Sequence, residues 1–190
     1  EIEVTAKDTL TKTCLPALPE GRFEIEVTAK DTLTKTGKDE LTFLFTANLG
    51  EPIRPLLKVA SGGELSRVAL AIKTVLLNAS GVPTMVFDEI DTGVGGVTAQ
   101  KMAEKIAVIA KVGQVLCITH LPQIASFADR HLLIRKESTG GRTSTGLTVL
   151  DEEGRIQELM RMTVGDNVSE VAYANAKELL AAAAKNKQAR

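Results

Sequence analysis

The chain has 190 residues, 44% of them apolar, with 23 basic against 24 acidic side chains and a net charge of −1. That length buries one sizeable core and falls short of two ordinary domains, and the balanced charge excludes the basic footprint of a stand-alone DNA-binding domain. No apolar run approaches the roughly 20 residues of a membrane span, Glu1-Ile2-Glu3-Val4 is no leader, and Cys14 and Cys117 stand in no metal-ligand or disulfide spacing, so a soluble protein of a reducing cytoplasm is expected.

The chain opens on a repeat. Glu1 to Thr13 and Glu24 to Thr36 carry the same thirteen letters, EIEVTAKDTLTKT. Solenoid repeats diverge and continue for at least three units, so residues 1–13 read as a duplicated, non-native segment, and residues 14–190 as the domain. Each copy alternates Ile, Val and Ala with Glu, Thr and Lys, which suits a strand with one buried face. Pro16 and Pro19 break the chain between the copies. Gly37-Lys38-Asp39 reads as a hairpin turn into a stronger strand over Leu41 to Phe45, and Pro52 and Pro55 mark a loop.

Beyond residue 60 helical and strand periods alternate. Glu64 to Asn78 is predicted helical, with Leu65, Val68, Leu70, Ile72, Val75 and Leu76 on a broad apolar face. Thr84 to Phe87 is a short apolar run between Pro83 and Asp88, the pattern of a buried parallel strand. A helix over Val97 to Lys111, a buried strand over Val115 to Thr119 and a short helix over Leu121 to Ala128 follow. His131 to Lys136 and Gly146 to Leu150 read as a closing hairpin tipped by Gly140-Gly141, and Val168 to Ala184 as an Ala/Leu-rich terminal helix. The alternation predicts an α/β fold, mainly a parallel sheet flanked by helices, with a β-hairpin.

Three stretches carry chemistry. Ser61-Gly62-Gly63 precedes the first long helix and places a hydroxyl and backbone N–H groups where a helix N-terminus favours an anion such as phosphate. A plain Ser N-cap fits the same letters. Asp88 and Glu89 end a buried strand, at the edge where open α/β sheets bind ligands. An Asp there can hold Mg²⁺, and the adjacent Glu can deprotonate a water; an acidic strand end that only caps the next loop is the alternative. Cys117-Ile118-Thr119-His120 closes the following apolar strand in a histidine, which adjacent parallel strands would bring to the same sheet edge. His131 begins an ordinary strand and reads as structural.

Taken together, residues 58–67 (KVASGGELSR), 87–94 (FDEIDTGV) and 119–123 (THLPQ) resemble the RecN family, an SMC-like branch of the ABC-class ATPases that repair DNA. The resemblance runs from about Pro16 to the end of the chain and implies the C-terminal lobe of an ABC/SMC-type P-loop ATPase head, with signature loop, Walker B strand, D-loop and switch histidine in that order. It implies that Ser61, Gly62, Gly63, Glu64 and Asp91 serve the nucleotide, the first three at the γ-phosphate of an ATP held mainly by a second head. Asp88 would support Mg²⁺, Glu89 would be the general base and His120 would sense the γ-phosphate. Glu64 stands where transporters usually carry Gln, and Gly95 where ABC proteins usually carry an Asp, which leaves Asp91 as the nearer acidic residue. No G-x-x-x-x-G-K-[ST] occurs in the chain, so the phosphate cradle is expected from an N-terminal P-loop lobe of the same protein. The implied partners are that lobe, a second head in a homodimer, and DNA through the full-length protein in the nucleoid; no membrane is implied, and this lobe alone is expected to be inactive. A head lobe of another SMC-like repair ATPase and a non-enzymatic dimerisation or docking module are the alternatives.

Overall fold

A computed structural model describes residues 22–35, 37–46, 50–59, 61–76, 83–139, 142–167 and 169–189. The first copy of the repeat and the Gly140-Gly141 tip lie outside the described residues. The chain divides into two compact units, residues 1–94 with 109–118 and residues 95–108 with 119–190.

In the first unit, β1 (Arg22–Thr34) and β2 (Gly37–Thr46) form an antiparallel hairpin, and β3 (Arg54–Pro55) pairs with β2. The register aligns Phe23 with Phe45, Ile25 with Phe43 and Val27 with Leu41 on one apolar face, but the expected burial of that face is reached only at Phe23 and Phe45, while Val27, Leu41 and Phe43 are exposed. The turn differs from the expectation. Gly37, Lys38 and Asp39 belong to β2, and the chain reverses before Gly37, because Thr34 pairs with Gly37 and its hydroxyl donates to the Gly37 carbonyl at 2.7 Å. Gly37 supplies the φ of 112° on the far side of that turn. The register slips between Ala29 and Thr34, a bulge that absorbs the extra residues of β1. Pro55, expected in a loop, sits in β3 opposite Leu44; β3 is an edge, where a residue without an N–H is tolerated.

A short helix α1 (Leu56–Val59) leads to α2 (Gly62–Val75), whose Val68 and Ala71 pack with Phe23 and Phe45 in a buried cluster. The parallel pair of this unit is β4 (Thr84–Phe87) with β5 (Gln114–Cys117), in register from Thr84 opposite Gln114 to Phe87 opposite Cys117. β4 occupies the predicted residues. One of its faces, carrying Met85 and Phe87, is buried, while Val86, Leu116 and Ile118 are exposed. Among the described residues parallel pairing is confined to these two strands, and the other two sheets are antiparallel.

The second unit contains all but the last residue of α3 (Gly96–Ile109), with Ala99, Met102, Ala103 and Ile106 buried along one face at helical spacing. It continues with a single-turn helix α4 (Pro122–Ala125), the hairpin of β6 (Leu132–Thr139) and β7 (Arg142–Val149), and the helices α5 (Glu152–Val164) and α6 (Glu170–Gln188). The hairpin is longer than predicted because its ladder runs without a break from Leu132–Val149 to Thr139–Arg142. His131 anchors the base of that hairpin, its carbonyl accepting from Leu150 N–H at 2.9 Å. Burial, followed by the nearby Arg155, holds its imidazole below the usual range, and Nδ1 has no partner among the described residues. Helix α5 was not anticipated. Asp151 caps it, accepting from Gly154 N–H at 2.8 Å, and Ile156, Leu159 and Met160 pack with Ala172 and Ala176 of α6, itself capped by Ser169. No helix among the described residues is long and apolar enough to cross a membrane.

Candidate functional site

The site begins at the end of β4. Ile118 N–H donates to the Phe87 carbonyl at 2.9 Å, carrying the parallel ladder to the residue before Asp88. Asp88 and Glu89 then leave the sheet exposed, while Ile90 and Asp91 turn inward, at 0% and 2% exposure. Two turn bonds shape this loop, from Thr92 N–H to the Glu89 carbonyl at 3.1 Å and from Val94 N–H to the Asp91 carbonyl at 3.2 Å. Glu89 adopts φ 55°, the left-handed region that costs a side-chain-bearing residue of the order of 1 to 3 kcal/mol and collects at functional sites.

Helix α2 begins beside this loop. Ser61 is its N-cap: Glu64 N–H donates to Ser61 Oγ at 3.3 Å, and Ser61 N–H donates to Glu64 Oε2 at 2.7 Å, a reciprocal capping box. The N-cap reading of Ser61 thus holds, and Glu64 closes the same turn. A Cβ added to Gly62 would stand 3.2 Å from Glu89 Oε2, which puts the Glu89 carboxylate against the first turn of α2. There the partial positive charge of the helix end favours it. Gly63 is tighter still: a Cβ there would meet the Glu89 carbonyl oxygen at 2.8 Å and the Thr92 Cβ at 3.3 Å. Only glycine permits that approach.

The next turn of α2 clasps the loop. Ser66 Oγ donates to the Asp88 carbonyl at 2.9 Å, and Arg67 Nη1 donates to the Ile90 carbonyl at 3.3 Å and the Thr92 carbonyl at 2.9 Å. Arg67 is 8% exposed, and burial lowers its pKa, partly offset by Glu64. The structure therefore brings Ser61, Gly62, Gly63, Glu64, Asp88, Glu89 and Asp91 together in the first unit. Ser66 and Arg67, which hold this loop, are not singled out by the sequence pattern; the available signal is a charge at the i+4 position from Gly63, interrupting the buried stripe of Leu70 and Ala71. His120 belongs to the second unit and is exposed, just before Leu121, whose N–H donates to Thr119 Oγ1 at 3.0 Å.

Burial, then the negative fields of Asp91 and Asp88, push the Cys117 thiol up to about 12. Among the described residues no group of three or more His, Cys, Asp or Glu is placed to hold a metal. The donor set still suits Mg²⁺, which is commonly bound through one or two carboxylates, its own waters and substrate phosphates rather than by an all-protein cage.

No protein-family model matches the chain. It is similar to the DNA repair protein RecN of Halalkalibacterium halodurans, 50% identical over 144 residues, which are 76% of this chain and 26% of that protein. RecN of Treponema pallidum is 50% identical over 152 residues, covering 80% and 26% of the two chains, and RecN of Bacillus subtilis 50% over 144 residues, covering 76% and 25%. The chain thus spans about a quarter of the length of these relatives. Among solved structures it is similar to the Smc head domain with a coiled coil and joint from Pyrococcus yayanosii, with TM-score 0.58 and 18% identity over 83% of this chain and 29% of that one. The Smc head domain of Pyrococcus furiosus, bound to the C-terminal domain of ScpA, gives 0.53 and 20% over 82% and 37%. The structural likeness fixes the fold of an SMC head, and the sequence identity fixes the branch: the chain belongs to the RecN family.

Proposed function

We propose that the chain forms part of the ATP-binding and ATP-hydrolysing head of a RecN-type protein that repairs DNA breaks by recombination. The carrying observation is the junction of two chemistries in one unit: a capped helix N-terminus with two glycines, set directly against an acidic pair at the C-terminal end of a parallel strand. In this reading the Ser61-Gly62-Gly63 turn meets the γ-phosphate of ATP bound by a second head, where orphan N–H groups and the helix dipole favour anionic oxygen. Asp88 supports Mg²⁺, which when bound would neutralise phosphate charge. Glu89 accepts the proton of the attacking water. His120 senses the γ-phosphate. Asp91 acts from inside the loop, holding its shape beneath the two exposed carboxylates.

A phosphate cradle must come from elsewhere, since the chain contains no G-x-x-x-x-G-K-[ST]. The N-terminal P-loop lobe of the same protein is the proposed source. The exposed apolar face of the β4–β5 pair, with Val86, Leu116 and Ile118, supports this, because parallel strands are almost always covered on both faces. DNA engagement belongs to the full-length protein, given the near-zero net charge here.

The test uses the full-length protein. Glu89→Gln is expected to abolish hydrolysis, by at least about a hundredfold as removal of a general base does, while ATP binding is retained and the ATP-paired heads accumulate. Ser61→Arg is expected to block ATP-driven head pairing. Hydrolysis by Glu89→Gln at the parental rate, measured by phosphate release, would show that Glu89 is not the base.

A further inference from the structure

Resting on that reading, we propose that Arg67 is a positioning residue for hydrolysis: it ties the loop that meets one nucleotide to the backbone that aims Glu89 at another. The geometry is specific. Ser66 and Arg67, adjacent on α2, hold the carbonyls of Asp88, Ile90 and Thr92, every second residue of the loop. Glu89 is therefore bracketed, with the carbonyl before it bound by Ser66 and the carbonyl after it bound by Arg67. A residue at φ 55° relaxes unless its flanks are fixed. The bracket supplies that restraint.

The guanidinium suits the task. It is planar, always charged and rich in donors, so one nitrogen serves two carbonyls from a single orientation. Burying it is costly, and its Nε has no partner among the described residues, so a cation here is a poor choice for stability alone. Gly63 completes the coupling, because a Cβ there would stand 2.8 Å from the Glu89 carbonyl oxygen, so helix and loop approach more closely than any other residue allows. A shift of the first turn of α2 on meeting phosphate is thus carried to Glu89 through rigid contacts. In the proposed head pair the Ser61 turn and Glu89 serve different nucleotides, so Arg67 links the two sites.

The experiment is a kinetic split in the full-length protein. ATP hydrolysis, ATP-driven head pairing and thermal stability are measured for Arg67→Met, Arg67→Lys and Ser66→Ala beside Glu89→Gln. Misplacement of a catalytic group by about 1 Å costs of the order of a hundredfold. Arg67→Met is expected to lower kcat by about ten- to a hundredfold, with KM for ATP within about threefold and pairing retained. Arg67→Lys, which keeps the charge but offers no planar fork, is expected to fall between Met and the parent. If Arg67→Met does not fold, the Lys and Ser66→Ala variants carry the same readout, a kcat loss without a KM change. Parental kcat in the folded variants, or loss of pairing and of kcat in equal measure, overturns the proposal. Glu89→Gln separates the two levels: if it is inactive while the Arg67 variants hydrolyse normally, only the coupling fails, and if it hydrolyses normally, the underlying reading fails.

Discussion

Between α2 and the loop after β4, neighbours are joined by side chains that donate to backbone carbonyls; between α5 and α6 they are joined by apolar side chains. The first contact has a buried cation, a left-handed glutamate and, at Gly63, a glycine without room for a Cβ. The second has Ile156, Leu159, Met160, Ala172 and Ala176 in one cluster, each helix opened by a side-chain cap. Polar contacts to carbonyls are directional and fix a loop to within tenths of an ångström, while apolar burial is stronger in sum and indifferent to small displacements. A region that aims a carboxylate needs the first kind. A region that only has to stay folded does well with the second.

The largest stability effect is expected in the helical pair. Leu159 is fully buried, and Leu159→Ala removes its methyl groups and leaves a cavity, a loss of about 3 kcal/mol. Denaturant unfolding of the chain measures it. A loss below about 1 kcal/mol would mean that α5 and α6 close over the cavity and are less tightly packed than the cluster implies.

The loop should respond in the opposite sense. Glu89→Gly removes the steric cost of φ 55°, of the order of 1 to 3 kcal/mol, against the greater flexibility of unfolded glycine and the lost carboxylate beside the α2 N-terminus. The net expectation is unchanged stability or a gain of up to about 1 kcal/mol, together with loss of hydrolysis in the full-length protein. A clear destabilisation by the same denaturant measurement would mean that the Glu89 carboxylate holds the loop, and that the contrast between the two regions is smaller than the geometry indicates.

The parts legible from sequence were those whose cause is local. β4 was readable to the residue because Pro83 and Asp88 bound a short apolar run, and the Ser61 cap because Glu64 stands three residues on. Helix α5 carried a usable pattern, Asp151 followed by Ile156, Leu159 and Met160, but Gly154 in its first turn and the strand pattern just before it masked the start. The hairpin turn is expected at Gly37-Lys38-Asp39 but comes earlier, because Gly37, which looks like a turn centre, serves the strand beyond it. Arg67 had no local cause to read. Its partners lie 23 and 25 residues away, joined by the return of the chain through β4, and a lone arginine in an apolar stripe does not name them.

The smallest effect is expected from the first copy of the repeat. The described hairpin is built by residues 22–46, so the second copy of the repeat holds the place beside β2. The first copy has the same thirteen letters but would have to reach β2 across a loop of about two dozen residues instead of a two-residue turn, an entropic handicap of about 2 kcal/mol. Phe23, outside the repeated letters, adds to the preference for the second copy: it is buried and stacks on Phe43 with ring centroids 5.7 Å apart. Deleting residues 1–13 therefore removes no described hydrogen bond or core side chain, and the free energy of unfolding should change by less than about 0.5 kcal/mol. A larger fall would show that both copies are integral to the fold. A gain in the monomer fraction by size-exclusion chromatography after the deletion would add that the first copy had been pairing between molecules, at the edge position that β1 holds among the described strands.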